Sequence, residues 1–307
     1  MIKKWLPLLL FVFSCSGSKK SATKTGVVNN KPTVMQDNFD KQGHRGCRGL
    51  MPENTIPAMI HALGQGVTTL EMDVVFTKDM KVVLSHEPFF NHEITTKPDG
   101  HIVAEKEESS LNIFQMTYEE VKRYDVGLNP HPRFPRQQKL KAAKPLLADL
   151  LDSVKQYMMM ARRPMPYFNI ETKTQALTDM IYHPGPAAFV EGLMAVIKEK
   201  EVIDFVIIQS FDFRTLQYLH QHYPAVKTAM LIEDYDKRTL DEQLKALGHT
   251  PTIYSPAYKL VNPALLKKCH DLGMKVIPWT VNEKAKIEEL KTMGVDGIIT
   301  DYPDLFD

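Results

Sequence analysis

Residues 44–86 read HRGCRGLMPENTIPAMIHALGQGVTTLEMDVVFTKDMKVVLSH. In a strand successive side chains alternate faces, so Glu71 and Asp73 point the same way, with Met72 opposite. Two carboxylates side by side repel unless a positive group sits between them, and a hard divalent cation is the usual answer. Thr69–Phe76 and Val82–Ser85 are both rich in β-branched residues, and only Thr77-Lys78-Asp79-Met80-Lys81 separates them. A parallel crossover needs about a dozen residues or more, so the two runs form an antiparallel hairpin. With Asp79-Met80 as a two-residue turn, Asp73 lies opposite His86, and the hairpin carries a histidine back to the carboxylate pair. Met80 is a poor residue for the positive φ such a turn prefers, which leaves the register open by about one residue.

Outward from this stretch, β-like and α-like runs alternate. Strands are predicted at Lys41–Arg45, Thr69–Phe76, Tyr167–Thr172, Asp204–Ser210, Val226–Ile232, Thr252–Ser255, Lys275–Val281 and Gly297–Thr300, with Val82–Ser85 as a hairpin arm. Helices are predicted at Thr55–Leu63, Leu146–Met159, Pro186–Lys200, Phe213–His222, Leu240–Leu247, Pro263–Leu272 and Lys284–Met293. Gly273 and Gly294 fall just past two of these, where helix ends favour glycine. Eight βα units imply an α/β fold, a (β/α)8 TIM barrel with its site at the C-terminal strand ends. The last helix is vestigial or missing. Residues 88–145 do not fit a simple βα loop. With NPHPRFPRQQK and one helical piece at Thr117–Tyr124, they read as an insertion near the barrel mouth, shaping access or merely decorating the surface. Met158–Met160 read as core residues near a helix end.

The composition, 43% hydrophobic and 24% charged, is that of an ordinary globular chain. A net charge of +1 and the lack of a basic run interleaved with aromatics give no reason to invoke nucleic acid. Three cysteines cannot make a disulfide framework. Lys3 and Lys4 precede an apolar run from Trp5 to Phe13 and then Ser14-Cys15-Ser16-Gly17, the pattern of an export signal over residues 1–14. The run falls short of the roughly 20 residues that span a bilayer. Cys15 directly after a small residue resembles a bacterial lipobox. This points to an exported, membrane-anchored lipoprotein on the periplasmic side or cell surface, with a plain signal peptide as the alternative. Residues 15–40 are polar and read as a flexible tether to a domain at 41–307.

HRG, PENT, ExD, the TKD turn and the following His, in this order, resemble the glycerophosphodiester phosphodiesterases. NIETK (Asn169–Lys173), QSF (Gln209–Phe211), WTVN (Trp279–Asn282) and DGIITDYP (Asp296–Pro303) continue the resemblance in order. Any one of these motifs alone is weak; together they cover roughly residues 40–307. The resemblance implies metal ligands at Glu71, Asp73 and Glu171, and an acid–base pair at His44 and His86. On the residues themselves, three converging carboxylates suit one divalent cation, Ca2+ first and Mg2+ second. Histidines suit proton transfer near neutral pH. Arg45 can fork onto phosphate oxygens, and Lys173 can add a point charge. Plainer readings exist for several of these. Glu71 and Asp73 could form a solvated strand edge, and Glu171 with Lys173 a structural ion pair. Glu53 either supports the site by orienting Arg45 or contacting the metal region, or is only the acid beside an Asn or Thr helix cap, and Trp279 is either an apolar wall for glycerol carbons or core. Cys47 reads as a buried filler. Two positions depart from the family: Glu87 stands where Asp is usual, and Met80 replaces a common Gly. The implied reaction is hydrolysis of a glycerophosphodiester to sn-glycerol 3-phosphate and an alcohol. The alternatives are a phospholipase D-type enzyme on lysophospholipid or sphingolipid, using an apolar groove with Phe89, Phe90 and Phe134, and a non-catalytic lipoprotein that binds glycophosphates.

Overall fold

β-Branched runs settle into eight short parallel strands that alternate with amphipathic helices. The computed structural model describes Met1 and residues 39–307. The predicted signal segment, Cys15 and most of the tether lie outside the described residues. The strands are β1 (Asp40–Gly43), β2 (Thr69–Phe76), β3 (Val82–Leu84), β4 (Tyr167–Thr172), β5 (Val206–Ser210), β6 (Lys227–Ile232), β7 (Ile253–Pro256), β8 (Lys275–Val276) and β9 (Gly297–Thr300). Their order is β8-β7-β6-β5-β4-β2-β1-β9, with β3 pairing only to β2. Every neighbour pair on that path is parallel, and β2–β3 is antiparallel. The ring closes between 276–281 and β9 through Asp296 N to Val276 O, Ile299 N to Pro278 O, and Val281 N to Ile299 O, each 3.0 Å. This is the predicted TIM barrel. The predicted strand at Lys275–Val281 is regular only over its first two residues, because Pro278 has no N–H to give the ladder.

The helices are α1 (Ile56–Gly64), α2 (Tyr118–Val121), α3 (Leu147–Ala161), α4 (Pro186–Glu199), α5 (Phe213–His222), α6 (Leu240–Leu247), α7 (Pro263–Asp271) and α8 (Lys284–Met293). A single 3-10 turn, Pro303–Phe306, stands where the barrel's last helix would be. On α3 the buried face is Leu147, Leu150, Leu151, Val154 and Met158, a 3.6-residue stripe. Met159 and Met160 are therefore not core: turned about 100° and 200° off the stripe, they are 73% and 74% exposed. The outer core packs this face and its neighbours against Met72, Phe168 and Ile170. Inside the barrel, Ile207, Ala229, Ile253, Ile277 and Ile299 form an apolar floor. The polar mouth sits above it.

The hairpin register is one residue off the two-residue-turn prediction. Val74 faces Leu84, and Ser85 N donates to Asp73 O at 3.0 Å, so Asp73 lies opposite Ser85 and not His86. Thr77 N donates to Lys81 O, which makes Lys78-Asp79-Met80 a three-residue loop, with Met80 at φ 57°. A left-handed residue at the third position is how such loops close. Residues 88–145 pack Phe90, Ile94, Val103, Ile113, Val121 and Val126 onto the outward side chains Val75 and Val83 of this hairpin. They form a satellite core. The helical piece expected at Thr117–Tyr124 is the single turn α2. No helix among the described residues is long and apolar enough to cross a membrane.

Candidate active site

β2 and β4 are laterally paired with Asp73 beside Glu171, and Glu71 is two residues back on the same face. Carboxylate oxygens of the three lie within 4.8 Å of one another, and all three side chains are buried. Glu71 accepts from Arg45 N (2.7 Å) and from Gln209 Nε2 (2.8 Å). Asp73 Oδ2 accepts from Asn54 Nδ2 (2.9 Å). Glu171 Oε1 accepts from Lys173 Nζ (2.7 Å), which lies 3.7 Å from Asp73 Oδ1. Asp73 Oδ1 is itself buried with no hydrogen-bond partner among the described residues.

Burial and the Asp73 charge push Glu71 well above the usual carboxylate range. Burial, opposed by Lys173, raises Glu171 to about 7. At Asp73 burial also favours the neutral form, but His86, Lys173, Arg45 and the Asn54 hydrogen bond outweigh it and hold the group low. The trio thus has more carboxylate than its cationic neighbours neutralise, and one orphaned oxygen. A divalent cation fits this all-oxygen donor set.

The HRG stretch is a strained turn. Arg45 has φ 49° and Gly46 φ 83°. A Cβ at Gly46 would meet the Ala58 backbone at 2.8 Å, so only glycine lets α1 approach this closely. The turn aims Arg45 N at Glu71 and places His44 Nε2 4.0 Å from Glu71 Oε2. His44 Nδ1 is 2.6 Å from Asp301 Oδ1. Asp301 also accepts from Arg48 Nε (2.8 Å) and Asn282 Nδ2 (2.7 Å). His86 Nδ1 is likewise 2.6 Å from Glu87 Oε1. Each imidazole therefore has Nδ1 anchored on a carboxylate, leaving Nε2 for chemistry. Burial lowers both histidines, His44 to about 4.

His44, His86, Arg45, Glu71, Glu171 and Trp279 line one cavity of about 160 Å3. Arg45 Nη1 donates to Glu53 Oε1 at 2.8 Å, and Thr55 caps α1 by accepting from Ala58 N, so Glu53 both holds Arg45 and stands beside a threonine cap. Trp279 takes part in both predicted settings. Its Nε1 donates to Ser255 O and its ring packs on the barrel floor, yet it also lines the cavity, edge-on to Phe211 at 5.5 Å.

Several participants lie outside the predicted set: Asp301, Asn282, Arg48, Asn54, Gln209 and Lys144. Asp301, Asn282, Asn54 and Gln209 sit inside the quoted motifs, but their partners lie on distant strands. Lys144 Nζ donates to Ser85 Oγ at 2.8 Å from the far end of the insertion, and no motif marks it. Of the groove residues expected at Phe89, Phe90 and Phe134, only Phe89 lines a cavity at the mouth. Phe90 is fully buried, stacked on Tyr124 at 4.0 Å, and Phe134 is buried under the Arg48 guanidinium at 4.8 Å. Cys47 is buried, its thiol pushed up to about 12 chiefly by burial, and is inert.

The model of the Glycerophosphoryl diester phosphodiesterase family matches residues 44–305. A glycerophosphodiester phosphodiesterase from Bacillus altitudinis is 31% identical over 265 residues, covering 85% of this chain and 94% of the relative. A solved structure assigned to the glycerophosphoryl diester phosphodiesterases, from Silicibacter pomeroyi DSS-3, superposes with a TM-score of 0.77 at 33% identity, covering 89% of this chain and 93% of that one. An Oleispira antarctica phosphodiesterase, solved with its product sn-glycerol-3-phosphate, shares the fold at TM-score 0.67 and 20% identity, covering 86% and 94%. The barrel, its carboxylate-lined mouth and these matches together show that the chain belongs to the glycerophosphoryl diester phosphodiesterase family, whose members hydrolyse glycerophosphodiesters.

Proposed function

We propose that the site cleaves a glycerophosphodiester to sn-glycerol 3-phosphate and an alcohol, using His44 and His86 as its acid–base pair. The observation that carries this reading is the pair of imidazoles, each tied through Nδ1 to a carboxylate at 2.6 Å, that line one cavity with Glu71 and Glu171 of the buried carboxylate trio. One histidine takes the proton of the attacking oxygen. The other gives a proton to the alcohol oxygen as the P–O bond breaks. Arg45 and Lys173 supply positive charge for the non-bridging phosphate oxygens. Glu53 holds the Arg45 guanidinium at 2.8 Å, and Trp279 offers an apolar face to the glycerol carbons. Glu71, Asp73 and Glu171 would hold one divalent cation, which when bound supplies Lewis-acid stabilisation of phosphoryl charge. Calcium is the first choice and magnesium the second, because an all-carboxylate set suits flexible oxygen coordination. The O. antarctica structure, solved with sn-glycerol-3-phosphate, supports the product.

A coupled assay for released glycerol 3-phosphate, run with calcium, magnesium or chelator, tests this reading. Chelation should abolish turnover and lower Tm, and added cation should restore both. Asp73→Asn should weaken activity and make Tm less sensitive to chelator. Full-rate hydrolysis in chelator would refute the cation's part.

We also propose that export and lipidation at Cys15 place the enzyme on a membrane surface. Lys3-Lys4, the apolar run and Ser14-Cys15 support this.

A further inference from the structure

Three cavities open around the reaction centre, and their chemistry differs. The central one, about 160 Å3, carries His44, Glu71 and Trp279. A second, about 200 Å3, lies on the insertion side and presents Arg45, Arg48 and Arg133. The largest, about 430 Å3, shares His86, Glu171, Phe211 and Glu233 with the central one, adds Lys173, and runs out between Phe89, Tyr182 and Tyr235. Its size falls within the roughly 300–1,000 Å3 of small-molecule sites.

The charged groups of this largest cavity are not equivalent. Lys173 is spent on Glu171 and Asp73, and Glu87 on His86. Glu233, directly after β6, has no hydrogen bond or ion pair to its carboxylate among the described residues. It is only half-buried, and it lines both the central and the largest cavity. Around it stand aromatic rings from separate βα loops. Phe211 follows β5 and is 37% exposed; Tyr235 follows β6 and is 72% exposed. An unpaired carboxylate among exposed aromatic faces attracts a compact organic cation twice over, by charge and by ring quadrupole. The insertion-side cavity offers the same group no free carboxylate, because Glu53 is paired with Arg45, Glu93 with Arg133 and Glu87 with His86.

We infer that the largest cavity is the subsite for the leaving alcohol, that it selects alcohols carrying an ammonium or quaternary ammonium group, and that Glu233 is the residue that sets this preference. The inference rests on the reaction proposed above. That reaction leaves the alcohol's identity open, and Glu233 takes no part in it.

The test compares glycerophosphocholine with glycerophosphoglycerol, whose head group is uncharged, using the full chain with calcium or magnesium. In the wild type, kcat/KM should favour the choline diester by roughly 5- to 30-fold, the size of a partly desolvated cation–π and carboxylate contact. The advantage should lie in KM. In Glu233→Gln the ratio should fall to near one, and in Glu233→Lys below one. A wild-type ratio near one, or a ratio in Glu233→Gln equal to the wild type's, overturns the head-group subsite while leaving the phosphodiesterase reading in place. Failure to hydrolyse either diester refutes the reaction itself, and the inference with it.

Discussion

Asp301→Asn is the substitution whose consequences the structure specifies most closely. The change is nearly isosteric, so shape survives and only hydrogen-bond polarity alters. Asp301 Oδ1 faces two donors, His44 Nδ1 and Arg48 Nε, and Oδ2 faces Arg48 Nη2 at 3.4 Å and Asn282 Nδ2. Whichever position the new NH2 takes, it meets two donors. Asn282 cannot rotate to help, because its Oδ1 already accepts from Asp301 N at 2.9 Å. Two buried, partly charged hydrogen bonds are lost, at about 1–3 kcal/mol each, or about 2–6 kcal/mol of stability. That corresponds to a fall in Tm of roughly 5–15 °C. His44 loses the acceptor that fixes its tautomer, so turnover per folded molecule should fall about 10²- to 10⁴-fold. In the folded protein burial opposes ionisation of Asp301, but His44 and Arg48 outweigh it and hold the carboxyl well below its ordinary 3.8. A group depressed in this way contributes stability above its unfolded pKa and loses it as pH falls, so the wild type's lead over Asp301→Asn should shrink below about pH 4. Circular dichroism melts and the glycerol 3-phosphate assay read these effects. Turnover within about threefold of wild type, with an unchanged Tm, would refute the assignment of Asp301 as the residue that positions His44.

His44→Ala and His86→Ala should each lower turnover by about two to four orders of magnitude in protein that still folds, and His44→Ala should also lower Tm because it removes the hydrogen bond to Asp301; near-normal turnover in either removes that histidine from the mechanism. Lys144 is pushed down to about 8 by burial, against Glu53 and Glu87, from an ordinary 10.5. The unfolded chain therefore binds more protons between those values, and stability should rise with pH across that window. Lys144→Met should lose this rise, and a wild-type-minus-variant Tm difference that stays constant from about pH 7 to about pH 10 would count against a depressed lysine. Cys15→Ser should release the protein from membranes in a bacterial host, since a lipidated N-terminal cysteine supplies the multiple acyl chains that stable anchoring needs; a serine variant that still sediments with membranes would count against lipidation at this residue.

Much of this architecture was readable because two kinds of signal coincide. β-Branched runs bounded by glycine and proline mark the strands, and 3.6-residue stripes mark the helices, so most boundaries fall within a residue or two of prediction. The carboxylate pair was legible because Glu71 and Asp73 share a strand face whatever the register. The register itself depended on the backbone of one residue. Met80 adopts a left-handed conformation despite its side chain, and the loop gains a residue. The positioning of His44 was invisible for another reason: Asp301 reaches it only through the pairing of β1 with β9. Lys144 arrives from an insertion with no periodic signal. The three consecutive methionines look alike in composition, and only their angular place on α3 separates buried from exposed.

The pairing of β1 with β9 also has a consequence in time. Synthesis runs from the amino end, and His44 must wait for a partner 257 residues later. At about 5–20 residues per second the wait is roughly ten seconds to a minute. Through that interval β1 has one open edge and the His44 turn lacks its Asp301 anchor. An open edge invites pairing with other chains. β1 is a short and polar strand, Asp-Lys-Gln-Gly, the kind least prone to such pairing. A more apolar β1 would leave the nascent chain exposed to aggregation until β9 arrived, and at Gln42 it would also strip buried Asn169 of an acceptor.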